Sequence, residues 1–371
     1  MTFLLIFTCR FRYLECNVFV DTLEHLTESL KAGQSMSRAE AEASAQLLGS
    51  ESISNEQKCA FLKALADKGE TADEVSGFAS VFRSLAIDPM VSDFAERGVD
   101  VCGTGGDGFG TFNISTTVSF LLAASGVPVL KHGNRSITSN CGSADLMEAL
   151  GIRLEVELPV HRKALEVLNF TFFFAPAFHP VFKAIMPARK ALAEQGQKTI
   201  FNLLGPMINP ARPKFQLMGV FSKDWLSPIA DALQALNLRS GMIVHGEPLP
   251  GSRLDELSCA GVNYVQGFGR LSEESGVLDL ASAGLASCEA SELKGGNVSD
   301  NLALLMDFAE QKNRIMPQGL RDSIYLNAGA ALYSAQQVNS IKEGVQRARE
   351  TVQSGALKQW LVAIHEFYKD L

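Results

Sequence analysis

From Val20 to about Ala86 the apolar positions recur at helical spacing, in four short segments separated by polar breaks. Each segment opens with a capping residue three places before Glu or Gln: Asp21 with Glu24, Ser37 with Glu40, Ser54 with Gln57, and Thr71 with Glu74. Val75, Phe78, Phe82 and Leu85 line one face of the last segment, and Gly33 and Gly69 stand where helices end. This predicts a small helical unit over residues 17–90, with helices around 179–197 available to pack on it. After Val99 the pattern changes to short apolar runs alternating with helical ones: VDVC, TVSFLLAASG, VPVLK, SADLMEALG and IRLEV, then TFFFA, QLMGVF, WLSPIADALQALN and GMIVHG. Strands alternating with helices at this interval predict a larger α/β unit over 91–371, with a mainly parallel sheet flanked by helices. From Leu302 the chain turns helical again.

The apolar start MTFLLIFTCRFRYLECN has no basic n-region and no small-residue cleavage site. Its apolar run falls far short of the ~20 residues of a membrane span. Residues 1–16 therefore read as a leader outside the fold. The 371-residue length exceeds one domain of about 100 to 200 residues. At 46% hydrophobic and 20% charged, the composition is that of a globular chain rather than a disordered one. A net charge of -8, with no basic cluster, excludes a duplex nucleic-acid surface, and nothing in the pattern calls for a membrane. The seven cysteines lack paired metal or disulfide spacing, so reduced thiols and a cytoplasmic setting are expected.

Three stretches carry candidate chemistry. GTGGDGFGTFNIST, Gly103 to Thr116, lies between a strand and a helix, with five glycines in its first eight residues. Such a backbone turns sharply and presents NH groups to an anion, while Asn113, Ser115 and Thr116 stand at a helix N-terminus that favours phosphate. Taken alone, the loop reads equally as a flexible surface turn before a capped helix. It lacks the GKS or GKT ending of a Walker loop. KHGNRSITSNCGSAD, Lys131 to Asp145, again joins a strand to a helix and offers Lys131, Arg135, four hydroxyls and two glycines. Loops that follow neighbouring parallel strands meet at one sheet edge, where open α/β folds bind ligands. Asp255 and Glu256, adjacent in RLDEL, are a carboxylate pair that could hold magnesium beside substrate phosphates, or be plain solvated loop charges.

In this order the motifs GTGGD, NIST, KHGNRS, GSAD, HPVFKAIMPAR from His179 and FNLLGPMINPA from Phe201 closely resemble the anthranilate phosphoribosyltransferases. The resemblance runs from about Val20 to the C-terminus and includes LNAGAALY and SGAL. It implies a helical domain beside a larger α/β domain, a homodimer, and transfer of the phosphoribosyl group of phosphoribosyl pyrophosphate (PRPP) to anthranilate in tryptophan biosynthesis. Carried over, it implies that Gly103, Gly106, Asp107, Thr111, Asn113, Ile114, Ser115, Thr116, Lys131, Arg135, Ser136, Ile137, Thr138, Ser139 and Ser143 bind PRPP. Gly103, Asn134 and Arg189 would contact anthranilate, Arg189 through its carboxylate. Ser115, Asp255 and Glu256 would hold Mg2+. The resemblance implies no acid or base residue, because the neutral amine of anthranilate is already a nucleophile. The sequence departs from the family pattern in a lengthened link, KALAEQGQ, after Arg189, in Lys198 where arginine is usual, and in Cys141 where serine is usual. Two alternatives share parts of this pattern. A pyrimidine nucleoside phosphorylase has the same fold but not KHGNR, and a non-catalytic nucleic-acid-binding paralogue conflicts with a pI near 5.4.

Overall fold

The computed structural model describes residues 22–135, 141–369 and 371. The leader, Asp21 and the Ser136 to Ser139 loop lie outside the described residues. Four helices, α1 (Leu23–Lys31), α2 (Arg38–Leu48), α3 (Asn55–Lys68) and α4 (Ala72–Ser84), form the N-terminal unit. Ser37, Ser54 and Thr71 each close a reciprocal capping box with Glu40, Gln57 and Glu74, as the spacing predicts. The first helix differs: Thr22 is its cap, its hydroxyl accepting from the His25 amide at 3.2 Å. Leu85, expected on the apolar face, falls just beyond α4 and is 42% exposed, whereas Val75, Phe78 and Phe82 are fully buried.

The expected fold class holds. Strands β1 (Val99–Gly103), β2 (Val129–Gly133), β3 (Phe170–Phe174), β4 (Phe215–Gly219), β5 (Ser240–Glu247), β6 (Val262–Gly269) and β7 (Ser275–Val277) form one sheet. Their order is β3-β2-β1-β4-β5-β6-β7, parallel through β5 and antiparallel beyond it. Sequence periodicity did not reveal the antiparallel pair β6–β7. The predicted strand IRLEV does not form. Ile152 and Leu154 bury as the alternation requires, but the segment pairs with no strand and packs as irregular chain against the core.

Period-two burial lets the sheet serve two cores. Leu217, Met242 and Val244 join the apolar cluster under helices α5 (Ile114–Ala124), α6 (Ser143–Ala149), α7 (Leu158–Leu168) and the C-terminal helices. Met218 and Ile243, one residue over, join the opposite cluster with Leu26, Phe61, Phe78 and Phe82 of the helical unit. Ile185, Leu192 and Phe201 also belong to that second cluster, so the segment carrying Arg189 is packed into the same core as the helical unit. No helix among the described residues is long and apolar enough to cross a membrane, and none of the five described cysteines is in a disulfide.

Candidate active site

The strand order reverses at β1, with β2 on one side and β4 on the other. This is where open α/β sheets leave a crevice at the carboxyl ends of their strands. The loop after β1 turns through Gly105, Gly106, Gly108 and Gly110, with φ of 70, 75, 70 and 72°. Side chains other than glycine are strained there, which accounts for the run of glycines.

Asp255 and Glu256 reach this loop by a short hairpin. Gly246 and Leu254 pair as an isolated antiparallel bridge with N–O distances of 2.8 and 2.9 Å, turning the chain back over the ends of β5 and β4. The Asp255 carboxylate then accepts from the Gly105 amide at 2.6 Å, and Glu256 accepts from the Ser115 amide at 3.0 Å. Space for this comes from two glycines paired across β1 and β4, Gly103 and Gly219. A β-carbon on Gly103 would stand 2.1 Å from an Asp255 carboxylate oxygen, and one on Gly219 would stand 1.5 Å from the Asp255 carbonyl. The hairpin is pinned from below by Asn327 of the LNAGAALY segment, fully buried. Its amide donates to Leu257 O at 2.7 Å and its carbonyl accepts from Leu257 N at 3.1 Å. Asn327→Ala strands two buried backbone groups, and a loss of roughly 2–4 kcal/mol in urea unfolding is expected.

Both carboxylates are buried, Asp255 at 9% and Glu256 at 8% exposure. Burial, followed by the neighbouring charge of Asp107, raises the pKa of Asp255; burial, then Asp255, pushes Glu256 up to about 8. Two desolvated carboxylates that repel each other beside NH donors fit a hard divalent cation such as Mg2+, which accepts one or two carboxylates and fills its shell with water and phosphate oxygens. Among the described residues, the positive charge acting on Glu256 is internal. Lys131, 1% exposed, donates to Val101 O at 2.6 Å and offsets both Glu256 and the fully buried Asp100.

The remaining expected site residues divide by position. Gly103, Gly106, Asp107, Asn113 and Ser115 line the loop and the start of α5. Ile114 and Thr116 are buried, so only their backbone can face a ligand. Thr111 is tied by an antiparallel bridge to Lys294, whose ammonium also donates to Phe109 O at 2.5 Å. Asn134 and Arg135 are exposed, Arg135 pairing with Glu148 at 2.8 Å, and the Ser143 hydroxyl donates to Asn134 O at 3.2 Å. Lys131 differs from the rest in pointing inward.

Arg189 sits in helix α8 (Met186–Glu194), its guanidinium carbon 4.8 Å from the centre of the Phe201 ring. No carboxylate pairs with it among the described residues, and burial lowers its pKa. The lengthened link continues α8 to Glu194 and turns at Gly196, φ 71°. It leaves the Lys198 ammonium 3.9 Å above the Phe221 ring. The Phe221 amide in turn donates to Thr104 Oγ1 at 3.1 Å, linking this segment to the glycine loop. FNLLGPMINP proves to be a scaffold. The Asn209 side chain donates to Asp100 at 2.9 Å and to Leu130 O at 2.7 Å, and His132 Nδ1 lies 3.1 Å from Gly205 O. Sequence reading missed Gly219, Asn327, Lys294 and Asn209 as site-builders. The one local signal was Gly219, a glycine ending a strand as Gly103 does.

Comparison with known proteins agrees with this geometry. Residues 24–86 match the helical bundle domain of a glycosyl transferase family and residues 95–358 match that family's a/b domain. The anthranilate phosphoribosyltransferase of Chloroherpeton thalassium is 36% identical over 94% of this chain and 99% of its own length. That of Natronomonas pharaonis is 39% identical over 90% and 96%. The crystal structure of the Thermus thermophilus anthranilate phosphoribosyltransferase superposes with a TM-score of 0.82 at 36% identity, covering 93% of this chain and 99% of that one. With both halves of the fold matched and relatives 36 to 39% identical over nearly the full length, the chain belongs to the anthranilate phosphoribosyltransferase family.

Proposed function

We propose that this chain transfers the 5-phosphoribosyl group of PRPP to the nitrogen of anthranilate, giving N-(5-phosphoribosyl)anthranilate and pyrophosphate, and that it does so with Mg2+ as a cytoplasmic homodimer. The observation that carries the reading is the meeting of Asp255 and Glu256 with the Gly105 and Ser115 amides. That contact brings cation ligands and a phosphate-binding turn to one point. In the reaction the anomeric C–O bond breaks, pyrophosphate leaves with the electron pair, the aniline nitrogen forms the new C–N bond, and its surplus proton passes to solvent. The protein's tasks are to receive a polyanionic leaving group and to orient the amine. With the Gly105 amide engaged by Asp255, the amides of Gly106, Gly108 and Gly110 in this left-handed turn donate to phosphate oxygens without a side chain in the way. Asp255 and Glu256, and Ser115 at the start of α5, hold the cation, and Mg2+ when bound neutralises charge developing on the pyrophosphate. Arg135 and Ser143 close the second loop over the phosphates. Arg189, held against Phe201, meets the acceptor carboxylate, with Asn134 and Gly103 beside it.

The direct test is a fluorescence assay for phosphoribosylanthranilate from PRPP and anthranilate, with and without magnesium. Turnover only with magnesium supports the reading, and phosphorolysis of a pyrimidine nucleoside instead would replace it. Arg189→Ala tests the acceptor arm. Loss of a charge-assisted contact in a desolvated site costs on the order of 2 to 5 kcal/mol, roughly 30-fold or more in the KM for anthranilate. The KM for PRPP is expected to stay unchanged. An equal loss for both substrates would assign Arg189 to crevice closure instead.

A further inference from the structure

Away from the crevice, where α4 ends and the chain crosses to β1, a cavity of about 260 Å³ opens between the helical unit and the sheet. Its walls bring together Arg83, Arg212 and Lys214, with Ser92 and the apolar Ala95 and Pro210. Arg83 is 7% exposed, and its Nε lies buried with no hydrogen-bond partner. No ion pair to Arg83 or Arg212 forms among the described residues; instead Arg212 donates to the Arg83 carbonyl at 3.0 Å, which holds one guanidinium against the backbone of the other arginine. Neither carboxylate that faces the cavity pairs with Arg83 or Arg212 among the described residues. Asp88 accepts from the Met90 amide at 2.8 Å, and Glu96 is paired with Arg239 at 2.8 Å and with Lys214 at 3.8 Å.

A buried guanidinium without a counter-charge is costly, and proteins rarely keep one unless something binds to it. Burial, then the charge of Arg212, holds the Arg83 pKa down to about 10, still far above neutrality, so the cation persists. Arg212 sits at φ 55°, an unusual conformation for a large side chain, and that turn is what swings it onto Arg83. Two planar forks around a small polar and apolar cleft match the oxygens of a phosphate group.

We propose that this interdomain cleft is a second anion site, separate from the PRPP crevice, that binds a phosphate group, free or as a small phosphomonoester, on Arg83 and Arg212. Because its walls are the α4–β1 crossing and the Asn209 to Lys214 turn, an anion here ties the helical unit to the strands that carry the glycine loop. The test is amide hydrogen exchange on the full chain, with inorganic phosphate and glycerol 3-phosphate as separate probes. Protection is expected in residues 83–97 and 209–214 with either probe, the one acting at lower concentration identifying the source. Arg212→Gln, at an exposed side chain, is expected to raise the midpoint of that protection about tenfold or more, as loss of a charge-assisted contact does. Protection of the glycine loop 103–113, the phosphate site of the proposed function, should be the same in the variant. Arg83→Met should abolish the protection at the cleft and, in phosphate-free buffer, raise the melting temperature by removing an uncompensated charge. Protection confined to the glycine loop, or unchanged at the cleft in Arg212→Gln, would overturn the proposal. So would an Arg83→Met protein that loses its oligomeric state, since a partner's acid would then be the counter-charge.

Discussion

Gly219→Ala is expected to lower kcat/KM by about 100-fold or more while leaving a folded protein. The added methyl would stand 1.5 Å from the Asp255 carbonyl and 2.3 Å from its carbonyl carbon, backbone atoms that cannot rotate away. The hairpin carrying Asp255 and Glu256 must lift by an ångström or more, and a displacement of that size in a catalytic group is worth roughly 10²-fold in rate. Other contacts hold the strand itself, since β4 keeps its full register with β1 and β5. The expected signature is therefore kinetic: a weakened response to magnesium and a large loss of kcat, with circular dichroism unchanged. Wild-type kinetics in this variant would show that the Asp255 hairpin is not positioned by the strand ends. Gly103→Ala makes a useful companion, because its methyl would meet the Asp255 carboxylate, which can swing, so a smaller loss is expected there.

Asp255→Asn with Glu256→Gln is expected to abolish the magnesium dependence of turnover and cost roughly 10²- to 10³-fold in kcat, the scale of losing an electrostatic transition-state contact. Stability should move the other way. Burial raises both folded-state pKa values above the unfolded carboxylate values of about 4, with the charge of Asp107 adding to the rise at Asp255 and that of Asp255 lifting Glu256 to about 8. The folded protein thus holds these protons more tightly than the unfolded chain does. Their contribution favours the metal-free fold below about pH 4 and is lost as pH rises from there through the folded pKa near 8. Metal-free wild type should lose melting temperature across that window, and magnesium at pH 8 should restore it. The double variant, with neutral isosteres that still accept from the Gly105 and Ser115 amides, should show a flat profile and no magnesium response. Its metal-free stability at pH 8 should exceed that of wild type, by on the order of a few kcal/mol. A double variant that still needs magnesium would remove this pair from the metal site.

Much of this protein was legible in the linear chain, because the governing interactions are local. Capping boxes at Ser37, Ser54 and Thr71 span three residues, so the spacing alone announces them. Alternation of strand and helix marks β1 to β5, and the glycines at 105, 106, 108 and 110 announce a turn that only they adopt without strain. The motif order was enough to place the chain in its family. What the sequence left open depends on partners distant in the chain. IRLEV has the alternation of a strand and buries Ile152 and Leu154, yet it packs on the core without pairing, a choice between two ways of burying the same face that no short window encodes. Lys131 reads as a cleft cation but turns inward, because its charge is needed between Asp100 and Glu256, more than a hundred residues apart from each other. Adjacent Asp255 and Glu256 look like ordinary solvated charges until the hairpin buries them against amides 150 and 141 residues away. Their raised pKa values, and hence their fitness for a cation, come from that burial and from the neighbouring charges of Asp107 and Asp255. Gly219 and Asn327 acquire their roles in the same way, from a close approach and a pair of orphaned backbone groups that exist only once the tertiary structure has formed.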